Sequence, residues 1–163
     1  MESSTIQLKT KEGKVIEITK KQAELSELLK ATINEYPNET SFPLNELEEK
    51  NAEKIKDFLT HYNGVPPFNI EKPLTSIEMR KVTDEWSANF VDKMSIEELT
   101  NLTMAAHYMG INSLLDLCCA KVASLCKDKN EDDIFKTFNI TATFNDEEKN
   151  IIKEENKWID ENL

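Results

Sequence analysis

Few side chains in this sequence have types and spacings that could support chemistry. The two histidines, His61 and His107, belong to no HExxH or comparable metal-ligand spacing. The three glycines form neither of the loops, GxGxxG and GxxxxGK[ST], that hold phosphate groups. The acidic pairs fall in first turns of predicted helices, where the helix dipole accounts for them. The sequence therefore predicts no metal centre, no cofactor and no catalytic machinery.

The three cysteines, Cys118, Cys119 and Cys126, fall in one predicted helical segment. Cys118 and Cys126 would lie about 12 Å apart along a helix, which is too far for a disulfide. An odd count without CxxC spacing does not favour zinc. A nucleophile–base pair of Cys119 with His107 stays open, since such partners meet only in space, but an apolar stripe does not activate a thiol. We interpret the cysteines as small apolar core residues in a reducing compartment.

The charge balance and the distribution of apolar residues argue against nucleic acid and membrane as partners. The 163 residues include 31 acids and 20 bases, giving a net charge of −11, whereas a nucleic-acid binder needs a basic face. No stretch approaches the roughly 18 apolar residues of a membrane helix, and the first residues lack the apolar run of a secretory signal. We expect a cytoplasmic and nuclear protein that binds neither nucleic acid nor membrane.

The first half of the chain predicts a small mixed unit of strands and helices. Alternating apolar residues on both sides of KEG at 11–13 predict a β-hairpin with one buried face. Thr19 precedes one helical stretch that ends before Pro37, FPLNEL at 42–47 predicts a short strand, and 51–62 predicts a helix. One Gly and three Pro within 63–76 predict a surface linker.

Helix-capping residues divide the second half into four predicted helices. Two capping boxes, Ser95–Glu98 and Asn145–Glu148, open the first and the last of them, and Gly110 ends the first. The second restarts at 112 or 113 and carries a long apolar stripe. The third is a short helix capped by Asn130.

The last predicted helix is strongly acidic and about 17 residues, or about 25 Å, long. Its apolar side carries Trp158 close to the end of the chain, a region that frays unless something docks on it. The preceding TFNI segment adds Phe138 and Ile140. The spacing alone leaves two alternatives, because such an apolar stripe packs either on the protein's own core or on a partner.

Three segments of the second half resemble the S-phase kinase-associated adapter family, which links F-box proteins to cullins in SCF ubiquitin ligases. They are GINSLLDLCCAKVAS at 110–124, KDKNEDDIFKTFNI at 127–140, and Phe144 followed by KEENKW at 153–158. The hairpin, FPLNEL, THY at 60–62, the PP linker and the WxxxF at 86–90 have weaker counterparts in the same order. The elongin C branch of the fold normally lacks the last two helices, so their presence argues against that branch.

The resemblance implies an α+β fold. It consists of a BTB/POZ-type front, a small sheet with surrounding helices, followed by an all-helical F-box-binding extension. The implied division is a BTB/POZ front part at 1–62, a linker at 63–82, the remaining BTB/POZ helices at 83–126 and the F-box-binding helices at 127–163. The resemblance implies neither catalysis nor a cofactor.

The resemblance also assigns candidate binding residues. AAHYM at 105–109 corresponds to the family's cullin-contacting helix end, so His107 and Tyr108 are the candidate cullin contacts. The sequence departs from the family at His107, where Asn is usual, and at Thr100, where Phe is frequent. The positions that match the family's F-box-facing groove are Leu115, Cys119, Val122, Phe138, Ile140 and Trp158.

The function implied is that of a non-catalytic adapter that bridges a cullin to F-box substrate receptors for ubiquitin-dependent degradation. An apolar groove without its F-box partner would favour a weak homodimer. Two alternatives stay open. One is an F-box-binding component of a kinetochore or membrane-traffic assembly, for which the surface at 107–108 would be dispensable. The other is a bare BTB-type oligomerisation module, which would not need residues 141–163.

Overall fold

A computed structural model describes residues 5–67, 69–141 and 144–157 of the chain. The chain divides into two compact units, residues 1–127 and residues 128–163. Strands and helices together give an α+β fold in which helices predominate, and this confirms the predicted fold class. None of the helices among the described residues has the length and apolarity to cross a bilayer.

The N-terminal unit begins with a three-stranded sheet in the order β2-β1-β3. Strand β1 (Thr5–Lys9) pairs antiparallel with β2 (Val15–Thr19) and parallel with β3 (Ser41–Pro43). Gly13 turns the hairpin with a φ of 88°, a conformation that glycine adopts without steric cost. One face of the sheet is buried, and the predicted hairpin is confirmed. Its buried residues are Ile6, Leu8, Ile16, Ile18 and Phe42.

The helical stretch predicted after Thr19 is wrong as a single element. It forms two helices, α1 (Lys20–Ala23) and α2 (Glu27–Glu35). The break occurs because the Ser26 hydroxyl accepts a hydrogen bond from the backbone N–H of Leu29 at 3.2 Å and so caps a new helix. Such local side-chain bonding competes with a continuous helix.

The helices predicted at 51–62, from Ser95 and from 112 or 113 are present in that order. The sequence located neither the helix Glu85–Asp92 nor the 3-10 turn, which falls inside the predicted linker at 63–82. The capping box at Ser95 and the stop at Gly110 are both confirmed, and Gly110 has left-handed backbone with a φ of 63°. The helices are α3 (Glu49–Tyr62), a 3-10 turn (Met79–Lys81), α4 (Glu85–Asp92), α5 (Ile96–Met109) and α6 (Asn112–Cys126).

The segment at 63–76 contains no helix or strand among its described residues, as predicted. It is nevertheless attached to the N-terminal unit rather than lying wholly on its surface. Ile70 is buried, and Lys72 Nζ lies 2.9 Å from Asp116 Oδ1 on α6. The domain boundaries at 62, 82 and 126 stay a prediction.

The C-terminal unit consists, in its described residues, of α7 (Glu131–Thr137) and α8 (Asp146–Glu155). Asn130 caps α7, and Asn145 with Glu148 forms the predicted capping box of α8. Helix α8 ends at Glu155, and the part of the predicted final helix from residue 158 onward lies outside the described residues. Trp158, the last of the predicted F-box contacts, lies outside the described residues.

Candidate binding surfaces

Helix α5 presents the two candidate cullin contacts at its C-terminal end. Its inner side is buried through Leu99, Leu102, Ala106 and Met109, which recur at helical spacing. His107 is exposed, and Tyr108 is half-buried, because part of its ring packs against the core while the rest stays accessible. The amphipathic pattern of α5 therefore fixes which residues remain available to a partner.

The end of α5 is held against the start of α2. The Ser26 hydroxyl donates a hydrogen bond to the Met109 carbonyl oxygen at 2.5 Å, and the Glu27 N–H donates to the Gly110 carbonyl oxygen at 3.2 Å. A Cβ atom on Gly110 would lie 2.9 Å from the Cβ of Glu27. This close approach requires glycine, and it sets the position of the preceding residues, including Tyr108.

A cavity of about 540 Å³ lies beside His107 and Tyr108. Met104 stands one turn earlier on α5 and is 66% exposed, which is unusual for a large apolar side chain unless a partner covers it. Glu46 and Glu48 place two carboxylates at the same cavity. Its lining is completed by Asn51, Asn101 and Ala105.

Tyr108 also reaches a second cavity, of about 370 Å³, between α2 and β3. Its lining is largely apolar and includes Leu28, Phe42 and Leu44. Burial, and to a smaller extent the charge of Glu46, raises the pKa of the Tyr108 hydroxyl. The tyrosine therefore presents a neutral hydroxyl and a ring with one apolar side, a combination common at protein interfaces.

Helix α6 carries three of the candidate F-box contacts. Leu115 and Val122 are half-buried against the core of the N-terminal unit, while Cys119 is exposed. These positions differ from the fully buried residues of the same helix, such as Leu114 and Leu117. Each of the three candidate side chains therefore keeps surface that a partner could contact.

The cysteines do not share one environment. Cys118 is buried, and this burial raises the pKa of its thiol to about 12, as expected of an inert core thiol. Cys119, the next residue, is exposed, so interpreting it as a core residue is wrong. Consecutive residues differ by about 100° around a helix, which places one on the inner side and the other on the outer side.

The C-terminal unit exposes several apolar side chains. Phe138 is half-buried and Ile140 is 42% exposed. The described part of this unit contributes three further exposed apolar residues, which are Phe144, Ile151 and Ile152. No residue of α7 or α8, as far as the structure describes them, is buried. Among these residues, the unit does not cover its own apolar side chains.

The sequence did not identify Met104, Glu46 and Glu48 as residues that line the cavity beside His107 and Tyr108. Met104 had a usable signal, because it stands four residues before Tyr108 and so shares its side of a helix. No sequence signal identified the two glutamates, because their position beside α5 depends on how the whole N-terminal unit packs. No group of three or more His, Cys, Asp or Glu side chains within 5–67, 69–141 and 144–157 could hold a metal ion.

Comparisons with known proteins give consistent matches over nearly the whole chain. Residues 112–159 match the sequence profile described as "Skp1 family, dimerisation domain". The chain is 38% identical to the "S-phase kinase-associated protein 1 homolog" of Tetrahymena thermophila over 98% of its own length and 96% of the relative's. It is 31% identical to the "E3 ubiquitin ligase complex SCF subunit sconC" of Arthroderma otae, with the same coverage of both chains. Identity to the protein of that name from Aspergillus flavus is 32%, over 99% of each chain.

Proposed function

Because the chain belongs to the Skp1 family, we propose that it is a non-catalytic adapter subunit of an SCF E3 ubiquitin ligase, which joins a cullin to F-box substrate receptors. The observation that carries the proposal is the 38% identity to an S-phase kinase-associated protein 1 homologue across 98% of the chain. The relatives named as SCF subunits match over the same extent. Such similarity from end to end supports the proposal, because it extends over both of the regions to which the contacts are assigned below.

The cullin contact is assigned to the end of α5. The support for this assignment is the exposure of His107, the half-buried ring of Tyr108 and the exposed Met104 beside them. The carboxylates of Glu46 and Glu48 at the neighbouring cavity favour a partner with basic side chains. An apolar centre with a charged rim is the usual arrangement of an interface hot spot.

The F-box contact is assigned to α6 and to the C-terminal unit. Leu115, Cys119 and Val122 retain accessible surface on α6. Phe138 and Ile140 do so in the C-terminal unit. Apolar side chains left exposed in this way gain free energy when another protein covers them. Trp158 is assigned to the same F-box contact from its sequence match to the family.

The proposed adapter acts by holding two other proteins close to each other. Holding a substrate receptor and a cullin assembly on one chain raises the effective concentration of substrate near the ubiquitin-transfer machinery. Two further features belong to the proposal. The exposed apolar side chains of the C-terminal unit, in a segment whose family profile is named for dimerisation, support a weak homodimer in the absence of an F-box protein. Three free thiols without a disulfide support a reducing compartment, the cytoplasm and nucleus.

Affinity purification of the tagged protein tests the assignments. The wild-type protein is expected to co-purify both a cullin and F-box proteins. Met104→Glu, at an exposed position, should lose the cullin and keep the F-box proteins, and Tyr108→Ala should do the same. Val122→Glu should show the opposite pattern. Val65→Glu is the matched control, because Val65 is 64% exposed outside both assigned surfaces.

Three outcomes would contradict this proposal or one of its assignments. Wild-type protein that captures neither partner would contradict the adapter function. Loss of both partners from a folded single variant would mean that the two surfaces are not separable. Retention of the cullin by both α5 variants would contradict only the assignment of the cullin contact to His107 and Tyr108. The adapter function itself would not be affected.

A further inference from the structure

An open cavity of about 680 Å³ lies on a part of the N-terminal unit that neither assigned contact uses. It is formed by the outer sides of α3 and α4 and by the turn that leads into α5. Its lining consists of Lys54, Asp57, Thr60, His61, Trp86, Asn89, Phe90, Lys93 and Met94. We call this cavity the α3–α4 slot.

Three stacked rings form the wall of the slot. The His61 ring lies 3.9 Å from the Trp86 ring at an interplanar angle of 3°. The Phe90 ring lies 4.9 Å from Trp86 at 14°. Below them, the buried Phe58 ring lies 6.3 Å from Trp86 and 6.2 Å from Phe90. The stack is therefore supported from within the core, and it is already ordered before anything binds.

The rings of the slot remain accessible. Trp86 and Phe90 are half-buried and His61 is exposed. On α4 the residues Ser87, Ala88 and Val91 are buried, so Trp86 and Phe90 belong to the other side of the helix. Half-buried tryptophan on a preformed surface is the residue type most enriched at binding hot spots.

The charge of the slot differs from the charge of the chain. Its lining has two lysines and one aspartate, whereas the chain as a whole carries −11. Lys54 is paired with Glu98 at 3.2 Å, but Lys93 is exposed and has no ion pair among the described residues. Arg80 stands close by, since its guanidinium donates to the Asn89 side chain at 3.0 Å. With Lys54 neutralised by Glu98, the remaining cations, Lys93 and Arg80, exceed the one remaining carboxylate, Asp57, by a single charge. The slot therefore lacks the acidic excess of the whole chain, and this favours an acidic partner over a basic one.

The slot shares no lining residue with the cavity at His107 and Tyr108. It meets α5 at Met94, before the first residue of that helix, whereas His107 lies near the last residue. The eleven residue steps of helix from Ile96 to His107 correspond to about 17 Å. Along α3 the two cavities come closer, since Asn51 of the cavity at His107 stands about one turn before Lys54 of the slot. None of the assigned F-box contacts on α6, which are Leu115, Cys119 and Val122, lines the slot.

We propose that the α3–α4 slot binds an acidic peptide segment of a further protein, with one aromatic or large aliphatic side chain of that segment packed on the Trp86 stack and its carboxylates facing Lys93. The proposal does not depend on the adapter function. It gives the chain a contact surface that shares no residue with the two surfaces assigned above.

The test is a titration of the isotope-labelled full chain, followed by NMR. The probe is a short synthetic peptide of Asp and Glu with one central Phe. Saturable shifts are expected at the Trp86 indole N–H and along α4, and they should weaken as salt is raised. Replacing the central Phe by Ala should weaken binding, and replacing the acids by Lys should abolish it.

Two charge-reversal variants make the test specific. Lys93→Glu should lower the affinity for the acidic probe peptide by roughly tenfold or more, because a negative charge then faces the negatively charged peptide. Lys30→Glu makes the same change at an exposed position on α2, away from the slot, and should bind like the wild type. Both variants should still co-purify the partners of the wild-type protein, which separates this proposal from the proposed function.

Three results would overturn the proposal. They are no saturable binding of the acidic probe, equal binding of the lysine-substituted peptide, and equal affinity of the two charge-reversal variants. Sedimentation of the wild-type protein gives a fourth outcome. Self-association that disappears in Lys93→Glu would show that a second copy of this chain, rather than an acidic peptide, occupies the slot.

Discussion

The Ser26 hydroxyl donates a hydrogen bond to the Met109 carbonyl oxygen, joining side chain and backbone across 83 positions of sequence. The Ser26 hydroxyl oxygen also accepts a hydrogen bond from the Leu29 N–H, and this cap begins α2. Met109 is the last residue of α5 and directly follows Tyr108. One buried side chain therefore both starts a helix and anchors the residues assigned to the cullin contact.

We expect Ser26→Ala to lower the free energy of unfolding by about 2–3 kcal/mol, because it removes a helix cap and leaves a buried carbonyl oxygen without its partner. Urea denaturation measures the change. Ser95→Ala removes a cap that is exposed to water and should cost about 1 kcal/mol. Equal costs for the two variants would mean that the bond to Met109 contributes nothing.

We expect Gly110→Ala to destabilise the protein and to weaken cullin binding. The added Cβ would approach the Glu27 Cβ to 2.9 Å, and left-handed backbone costs a residue with a side chain about 1–2 kcal/mol. The control is Gly13→Ala, which shares the positive φ but meets only Lys9 Cε, at 3.8 Å. Thermal unfolding and cullin pull-down should both show a larger loss for Gly110→Ala than for Gly13→Ala. A larger loss of stability in Gly13→Ala would contradict the steric argument.

Asp84 is expected to contribute to the loss of stability in acid. Burial raises the pKa of its carboxyl, but hydrogen bonds from Ser87 and Tyr62 outweigh this and hold the pKa below its ordinary value. A pKa depressed by folding gives stability that is present above the unfolded-state pKa, about 3.9, and is lost as the pH falls below it. Asp84→Asn should therefore show a smaller fall in unfolding free energy between neutral pH and pH values below that range.

The control for this prediction is Asp57→Asn, which changes an exposed aspartate on α3. It makes the same change of charge at a position without the hydrogen bonds that Asp84 accepts from Tyr62 and Ser87, so the acid dependence of Asp84→Asn should depart further from wild type than that of the control. Denaturant titrations of the three proteins at a series of pH values make the comparison. Parallel curves for wild type and Asp84→Asn would show that the depressed pKa does not contribute.

Local chemistry made most helix boundaries predictable. The boxes at Ser95 and Asn145, the cap at Asn130 and the stop at Gly110 each depend on residues within a few positions, and the structure has all four. The break at Ser26 was not predictable, because its hydroxyl bonds to Met109 far along the chain. Capping geometry can be read from sequence, whereas a tertiary hydrogen bond cannot.

The candidate surfaces were predictable only in part. Resemblance to the family supplied His107 and Tyr108, and the structure adds Met104 and the acidic residues at their cavity. Adjacent cysteines in an apolar stripe gave no sign of which one faces the core, because the stripe on α6 is broad. Cys118 and Cys119 therefore needed the packing of the helix to be distinguished.

That distinction leads to a further prediction. Iodoacetamide at neutral pH should alkylate Cys119 in the folded protein, because its thiol is exposed. Cys118 should remain unmodified until the protein unfolds, since it is buried and its pKa is raised to about 12. Mass spectrometry of the digested protein measures each thiol separately, and alkylation in denaturant provides the fully accessible reference.

An F-box protein should slow this alkylation if Cys119 belongs to the F-box contact. The covered thiol loses access to the reagent, so its labelling rate should fall in proportion to the fraction of chain in the complex. A purified cullin bound at the end of α5 should leave the rate unchanged, because Cys119 lies on α6. Cys119→Ser should bind the F-box protein while losing the rapidly labelled site. Equal labelling rates for the free chain and for a complex verified by gel filtration would remove Cys119 from the F-box contact, and the α6 assignment would then depend on Leu115 and Val122.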